Sequence, residues 1–595
     1  MTVVDSGASV DARSAFEAWL GDLRDVFESG SVDAIDGILR PDGFWKDMLA
    51  FSWRYRTLSG IEAIRQALRE SIDRVRPSDV RPAAGRTPPR LVRRSATDVI
   101  EGYFDFETSI GHGTGFARLT FDLDGNAKAW FLLTTLQEIR GFEERRGIRR
   151  PSGLDYSMNF AGPNWLDKRV EHQRYVDRDP EVLIVGGGQS GLTLAARLGQ
   201  MGADALIVER NERIGDNWRH RYHSLTLHNE IWGNSLPYMP FPDTWPTFVP
   251  KDKLAGWLES YAEAMELNVW TSAELVHADY QEDDGLWHAQ VRGRDGLREL
   301  RVPHLVLATG GASGVPHIPE LAGLDGFKGE VVHSSQFRSG EEYRNKHAVV
   351  VGTGTSGHDV AQELHANGAA AVTIVQRSPT CVVSLVPSGT LVYGLYSEGP
   401  PPDDVDLITA AIPYPMLCET YQFLTRKTCE LDRDLLDRLH EVGFETDFGE
   451  DETGFFMMYL RKGGGYYINV GCSELIADGD VGLAHARDVD RFDEAGLVLR
   501  DGRHIPADLV VLATGYMNLQ EAVRSLLGDE IAERVGPVWG FDDGFQSMRN
   551  MWQRTPQPGL WMMGGSLIDC RLYSRFLALQ IKAALEGLLP EGDIA

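Results

Sequence analysis

Between residues 13 and 75 apolar side chains recur at helical spacing, with Phe16, Trp19, Leu20, Leu23 and Phe27 falling on one stripe, so this stretch reads as amphipathic helices. The following RVRPSDVRPAAGRTPPRLVRR is rich in proline and arginine; its prolines forbid a continuous helix and mark a connector. From about 91 to 140 the period becomes that of strands, in GYFDFETSIG, TGFARLTFDL and AKAWFLLTTLQEI, with Asp124-Gly125-Asn126 as a turn. Helices followed by a sheet predict an α+β unit over 1–145, separable from the rest. Residues 146–180 are charged, punctuated by proline and glycine, and read as a linker. Beyond 180 apolar strands alternate with helical patterns, the signature of an α/β protein with parallel sheets.

The first of these strands, VLIV after Glu181, runs into Gly186-Gly187-Gly188-Gln189-Ser190-Gly191 and then a helical pattern. In G-x-G-x-x-G, Gly186 permits the tight turn, Gly188 lets backbone approach a pyrophosphate and Gly191 allows close helix–strand packing. Gln189 and Ser190 open the helix whose N-terminus would face the phosphates. The next strand, ALIVE, ends in Glu209, where a carboxylate accepts hydrogen bonds from a ribose and repels a 2′-phosphate, so this site suits FAD or NAD. A second strand and fingerprint follow at Val349 to Gly357, with Gly352, Gly354, Thr355, Ser356 and Gly357 in the corresponding places. Its next strand, AVTIVQR, ends in Gln376-Arg377-Ser378. A guanidinium and a hydroxyl there favour a 2′-phosphate and hence NADPH.

Composition narrows the partners. With 87 acidic and 59 basic residues the net charge is −28, which repels nucleic acid and anionic membranes. No run of eighteen apolar residues occurs, and the N-terminus lacks a basic start and an apolar segment, so no membrane anchor is expected. The five cysteines are scattered without a C-x-x-C pair, which argues against a disulfide framework, a metal site and a redox dithiol, and suits a cytoplasmic protein.

Several motifs carry a family resemblance. Gly215-Asp216-Asn217-Trp218 resembles the G-G-x-W that follows the FAD fingerprint in class B flavin-dependent monooxygenases, with Asp216 in place of the second glycine. Phe327, Gly329, His333 and Phe337 match F-x-G-x-x-x-H-x-x-x-F/Y, the signature of flavin-containing monooxygenases. SLTLHN, LPYMPFP and WPTFVPKDKLAGWLESYAE look closest to the YUCCA-type branch and its bacterial relatives. Two A-T-G segments, ending in Gly310 and at Thr514-Gly515, resemble those that mark where the chain leaves and re-enters the FAD domain. FWKDMLAFSWRYRTLSGIEAIRQAL and the strands after it resemble the nuclear-transport-factor-2-like (SnoaL-like) cone, a fold that serves catalysis, ligand binding or dimerisation.

The resemblance implies two Rossmann-type domains preceded by the α+β cone: 1–145 the cone, 146–180 linker, 181–340 FAD domain, 341–490 NADPH domain, and 491–595 the rest of the FAD domain. It implies FAD and NADPH as cofactors and oxygenation, through a peroxyflavin, of a small-molecule substrate: an amine, a sulfide or a carbonyl compound. An oxidase or dehydrogenase making no oxygen transfer stays open. Trp218, Thr514, Gly515 and Arg571 are implied near cofactor. His228 and Asn229 stand where animal-type members carry an active-site asparagine, although a histidine merely satisfied inside the fold is an equal reading of His228. His333 is implied as a catalytic residue at the interdomain junction, positioning the nicotinamide domain, with direct proton transfer as the alternative role. The cone offers a surface for homo-oligomers. Residues 380 to 500 resist reading.

Overall fold

The computed structural model describes residues 11–94, 96–153, 158, 160–310, 314–544 and 546–590. The N-terminal unit is a seven-stranded sheet in the order Tyr55–Ser59, Leu39–Met48, Ala127–Ile139, Gly111–Phe121, Thr97–Glu107 and Ser78–Pro82, with Arg90–Arg94 also paired to Thr97–Glu107. Helices Ala12–Ser29 and Ile61–Val75 bury their apolar stripes against it. Aromatic rings fill the face beneath the helices. A Cβ on Gly102, Gly113 or Gly115 would lie within 2.5 Å of the ring of Phe16, Phe106 or Phe104, respectively.

Two strands here lie in the stretch whose spacing reads as helix. In Leu39–Met48, Trp45 and Asp47 both bond Thr134 on the helix side, while Lys46 and Met48 alternate to the opposite face. The proline-rich connector supplies Ser78–Pro82 and Arg90–Arg94, edge positions where proline is tolerated.

Two five-stranded parallel sheets follow the same plan. The first is ordered Asn268–Thr271, Ala205–Glu209, Val182–Val185, His304–Leu307, Leu560–Met562; the second Gly482–His485, Ala371–Gln376, His347–Val351, Leu509–Leu512, Glu330–His333. In each, the fingerprint strand is central, and a three-stranded antiparallel meander (274–302 and 489–506) precedes the strand that ends in A-T-G. This moves the boundaries expected from the sequence. Glu330–His333 and Leu509–Leu512 belong to the second sheet, so residues 330–340 and the second A-T-G strand lie with the NADPH-type unit, not with the first.

The N-terminal unit packs closely on the rest of the chain rather than hanging from a loose linker. One apolar core runs from Phe16 through Leu183 to Ile581. Tyr55 packs on Tyr573 and Phe576 and donates to the Trp552 carbonyl. Arg197, buried in the first fingerprint helix, pairs with Glu144 at 2.9 Å. Arg86 and Thr87 bond Asp404, and Arg94 bonds Glu398. The outer sheet face rests on helices Pro402–Ala411 and Leu567–Leu585, so that face is not open to a second copy. Within the stretch expected as linker, Trp165–Arg174 is a capped helix and Tyr175 is buried against Asp204. Among the described residues no helix is long and apolar enough to cross a membrane.

Burial raises the Glu144 carboxyl, but Arg197, Arg575 and Tyr238 outweigh it and hold the pKa at about 2. Its contribution to stability is therefore complete above the ordinary glutamate pKa of 4.5 and is lost as pH falls toward 2. Removing one partner of a buried pair costs on the order of 3 kcal/mol or more. We expect Glu144→Gln to lower the melting temperature by several degrees at pH 7, with the deficit shrinking toward pH 3. A chain beginning near residue 170 should be poorly soluble or melt far below the full protein. Equal melting temperatures would show that the N-terminal unit is merely appended.

Candidate active site

The two glycine turns have nearly the same backbone. Gly186 has φ +114° and Gly352 φ +117°, and a Cβ on either would lie 2.4 or 2.3 Å from the carbonyl oxygen of Ala308 or Ala513. These alanines begin the two A-T-G segments. Each A-T-G thus ends the strand packed against its own fingerprint turn, once per unit, and the chain crosses to the second sheet after the first and returns to the first unit after the second, as expected from the sequence. A Cβ on Gly191 or Gly357 would lie about 2 Å from the carbonyl of Gly186 or Gly352, so both positions demand glycine for helix–strand contact.

Gly188 and Gly354 cap helices Gln189–Gln200 and Thr355–Ala366 with φ/ψ of −80°/−175° and −78°/−176°, and no side chain caps either helix. A Cβ on Gly188 would touch Asn217 Nδ2 at 3.0 Å; on Gly354 nothing lies nearer than the Tyr466 oxygen at 3.8 Å. Both helices present bare N–H groups beside a glycine turn, which fits a pyrophosphate, and in the second turn the Thr353 hydroxyl is turned away onto Thr380.

The strand ends differ in chemistry. Glu209 is buried and accepts from Gly187 N (2.7 Å), Asn211 N (2.8 Å) and Asn211 Nδ2 (2.7 Å). A carboxylate has roughly four acceptor positions, so one remains for a ribose hydroxyl. In the second unit Gln376 turns inward, exchanging hydrogen bonds with the Glu445 backbone. Arg377 and Ser378 are exposed, and Arg377 has no ion-pair partner among the described residues. A free guanidinium at this place fits a 2′-phosphate.

Some expected cofactor contacts are directed elsewhere. The Ser190 hydroxyl meets Cys570 Sγ at 3.3 Å and the Thr355 hydroxyl donates to the Tyr466 carbonyl at 3.2 Å, leaving their backbone N–H groups toward the turn. Arg571 is not near-cofactor charge to spare: it is buried, clamps Asp406 through two bonds of 2.8 and 2.7 Å, and donates to Gly233 O and Ser235 Oγ. Thr514 donates to the His317 carbonyl, and the Gly515 carbonyl accepts from His333.

A cavity of about 530 Å³ opens beside the first turn, reaching Gln189, Trp218, Gly565 and Ser566. Trp218 Nε1 donates to Gln189 Oε1, whose amide in turn donates to Gly565 O, tying the three together. Gly215, at φ +91° with a Cβ position 2.4 Å from the Ala255 oxygen, fixes that corner. Asp216 is buried, bonding Arg213 N and pairing with Arg219 at 2.8 Å.

His228 and Asn229 both line the cavity. Desolvation pulls His228 down to about 4, so it is neutral at physiological pH. His333 does not line it. Its Nε2 donates to Gly515 O at 3.0 Å and its Nδ1 accepts from Ser335 N, which fixes the tautomer, while its ring packs on Tyr516. That is a positioning arrangement at the seam of the second sheet, and the catalytic reading of His333 is set aside. The motif's other residues serve the same strand: Phe327 and Phe337 are buried, and a Cβ on Gly329 would lie 2.5 Å from the Asp508 oxygen.

Most of the wall comes from segments the sequence reading left out. Tyr393, Tyr396, Tyr421, Phe456, Tyr459 and Tyr466 come from the illegible stretch, and Lys46, Met48, Tyr55 and Thr57 come from the outer face of the N-terminal sheet. Strand alternation through FWKDM is the signal that could have found the latter group.

Comparison with known proteins agrees with this geometry. Residues 179–395 match the family model Flavin-binding monooxygenase-like. The chain is 29% identical over 400 residues to indole-3-pyruvate monooxygenase YUCCA1 of Oryza sativa subsp. japonica, covering 67% of this chain and 87% of that protein. It is 30% identical over 381 residues to probable indole-3-pyruvate monooxygenase YUCCA9 of Arabidopsis thaliana, covering 64% and 81%. Among solved structures it superposes on closed cyclohexanone monooxygenase (TM-score 0.51, 15% identity, 68% of this chain and 85% of that one). It also superposes on oxidized steroid monooxygenase bound to NADP (TM-score 0.50, 20% identity, 69% and 85%), and both share its fold. Two glycine turns, a cavity beside the first and these matches together place the chain in the flavin-binding monooxygenase-like family, as a flavoprotein monooxygenase.

Proposed function

We propose that the first turn holds FAD and the second NADPH, and that the protein transfers one oxygen atom from O2 to a small apolar substrate in the cavity lined by His228 and Asn229. The observation that carries this reading is the cavity beside Gln189 and Trp218, whose wall is largely aromatic and aliphatic. When bound, the flavin supplies the redox and oxygen chemistry. The chain's own work is to orient and to exclude water. Gly188 N–H and the helix after it would hold the pyrophosphate, Glu209 the ribose, and Arg377 with Ser378 the 2′-phosphate. Asn229 and neutral His228 would be hydrogen-bonding groups at the reacting end, and the tyrosine-rich wall keeps water from it. Carbonyl compounds are the favoured substrate class, because the similar plant proteins are named as indole-3-pyruvate monooxygenases. We read residues 11–145 as a SnoaL-like cone with a borrowed role: wall of the cavity rather than independent module.

The test of the function is oxygen transfer. Incubation with NADPH, labelled O2 and a panel of ketones, 2-oxo acids, amines and sulfides should give labelled product in proportion to NADPH consumed. Return of all electrons as hydrogen peroxide, with no label in any product, would favour an oxidase.

The division of cofactors predicts separable losses. Gly188→Ala should fold yet be colourless. Gly354→Ala, with open space at its Cβ, should stay yellow and lose reduction by NADPH. Arg377→Ala should stay yellow and lose roughly tenfold to a hundredfold of its preference for NADPH over NADH, the worth of one charge-assisted contact. An unchanged ratio of kcat/KM for the two nucleotides would assign the 2′-phosphate to another residue.

A further inference from the structure

Lys46 stands apart from every other cation of the protein's interior. It lies on Leu39–Met48, paired with Thr57 on one side and Leu133 on the other, on the sheet face that also carries Met48 and Tyr55. It lines the cavity and is the one lysine or arginine among the described lining residues. The buried arginines nearby all have partners: Arg197 with Glu144, Arg571 with Asp406, Arg94 with Glu101 and Glu398. Lys46 has neither a hydrogen bond nor an ion pair among the described residues, and desolvation alone pulls it down to about 8. The one carboxylate among the described lining residues, Asp569, is committed to Ser566 N, Ser566 Oγ and Tyr459 OH.

An ammonium held in an apolar enclosure without a counter-ion is costly, and proteins keep such groups where a ligand completes the pair. In a cavity whose other lining residues are apolar or uncharged polar groups apart from the committed Asp569, one such cation sets what enters, because a ligand lacking the matching anion leaves it bare. We propose that Lys46, supplied by the N-terminal sheet, is a substrate-anchoring residue that binds a carboxylate on the substrate, so that this enzyme selects compounds with an apolar or aromatic body ending in one carboxylate. This rests on the cavity being the substrate site, as argued above. Lys46 lies outside the 179–395 segment that matches the family model, so this selectivity is a property of the N-terminal unit.

The test reads binding rather than oxygen transfer. The flavin-loaded full chain is titrated with 3-phenylpropanoate, 4-phenylbutanoate and decanoate, each against its methyl ester, following the flavin absorbance. The wild type should bind at least one acid roughly tenfold to a hundredfold more tightly than its ester. Lys46→Met should abolish that ratio by weakening the acid alone, and Lys46→Arg should restore much of it. Flavin content and melting temperature check that each variant is folded; if Lys46→Met is not, Lys46→Gln takes its place. Acids that bind no tighter than their esters to the wild type, or a preference that survives in a folded, flavin-loaded Lys46→Met or Lys46→Gln, would overturn the proposal. Because no turnover is measured, an acid preference without labelled-oxygen transfer would sink the monooxygenase reading alone. Turnover of neutral substrates without acid preference would sink this one alone.

Discussion

The buried guanidinium of Arg197 governs how this molecule is assembled. It sits in the first fingerprint helix, inside the core, and a cation there requires a counter-charge. That charge is Glu144, at the end of the N-terminal sheet, with Tyr238 completing the pair. The helix that opens the flavin site is therefore electrostatically incomplete without the N-terminal unit. Arg86 on Asp404 and Arg94 on Glu398 repeat the arrangement further along, each taking a carboxylate from the body of the protein. With the unit docked by these pairs, part of the outer sheet face rests on helices Pro402–Ala411 and Leu567–Leu585, and Lys46, Met48, Tyr55 and Thr57 line the cavity beside Gln189 and Trp218.

Behind that joint stand two copies of one device. The turns at Gly186 and Gly352 agree within a few degrees, and each is closed by the carbonyl of an A-T-G alanine. Function diverges only at the end of the following strand, where a carboxylate fixed by backbone N–H groups in one copy becomes a free guanidinium in the other. Tyr222 on Asp359 and Ser224 on Glu363 then bond the first unit to the fingerprint helix of the second, so the two nucleotide turns are held in one frame.

Local chemistry made the nucleotide units legible: glycines in a strand–turn–helix context and one residue type at a strand end identify each turn without knowledge of distant contacts. The joints were not legible for the same reason. Glu144, Arg86 and Lys46 look like solvated surface charges in sequence; only distant partners, hundreds of positions away for Arg86, and for Lys46 the cavity it lines, reveal otherwise. Arg571 failed in the opposite direction. A Gly-rich turn before a helix suggests phosphate, yet its guanidinium is consumed by Asp406. The region from 391 to 466 is helical and rich in tyrosine, a composition that reads equally as core or cavity until the space between the helices is known.

The central claim is that the N-terminal sheet forms part of the wall where chemistry occurs. Met48 is buried, lines the cavity and makes no polar contact, so Met48→Trp changes volume there without removing a charge or a bond. Labelled-oxygen transfer by this variant, compared with the wild type on the same turned-over substrate, tests the claim most directly. The account predicts a yellow, folded protein whose kcat/KM for the substrate falls at least roughly tenfold, the scale of losing about 1.4 kcal/mol of fit. An unchanged kcat/KM would contradict it and return the N-terminal unit to the role of an appended module.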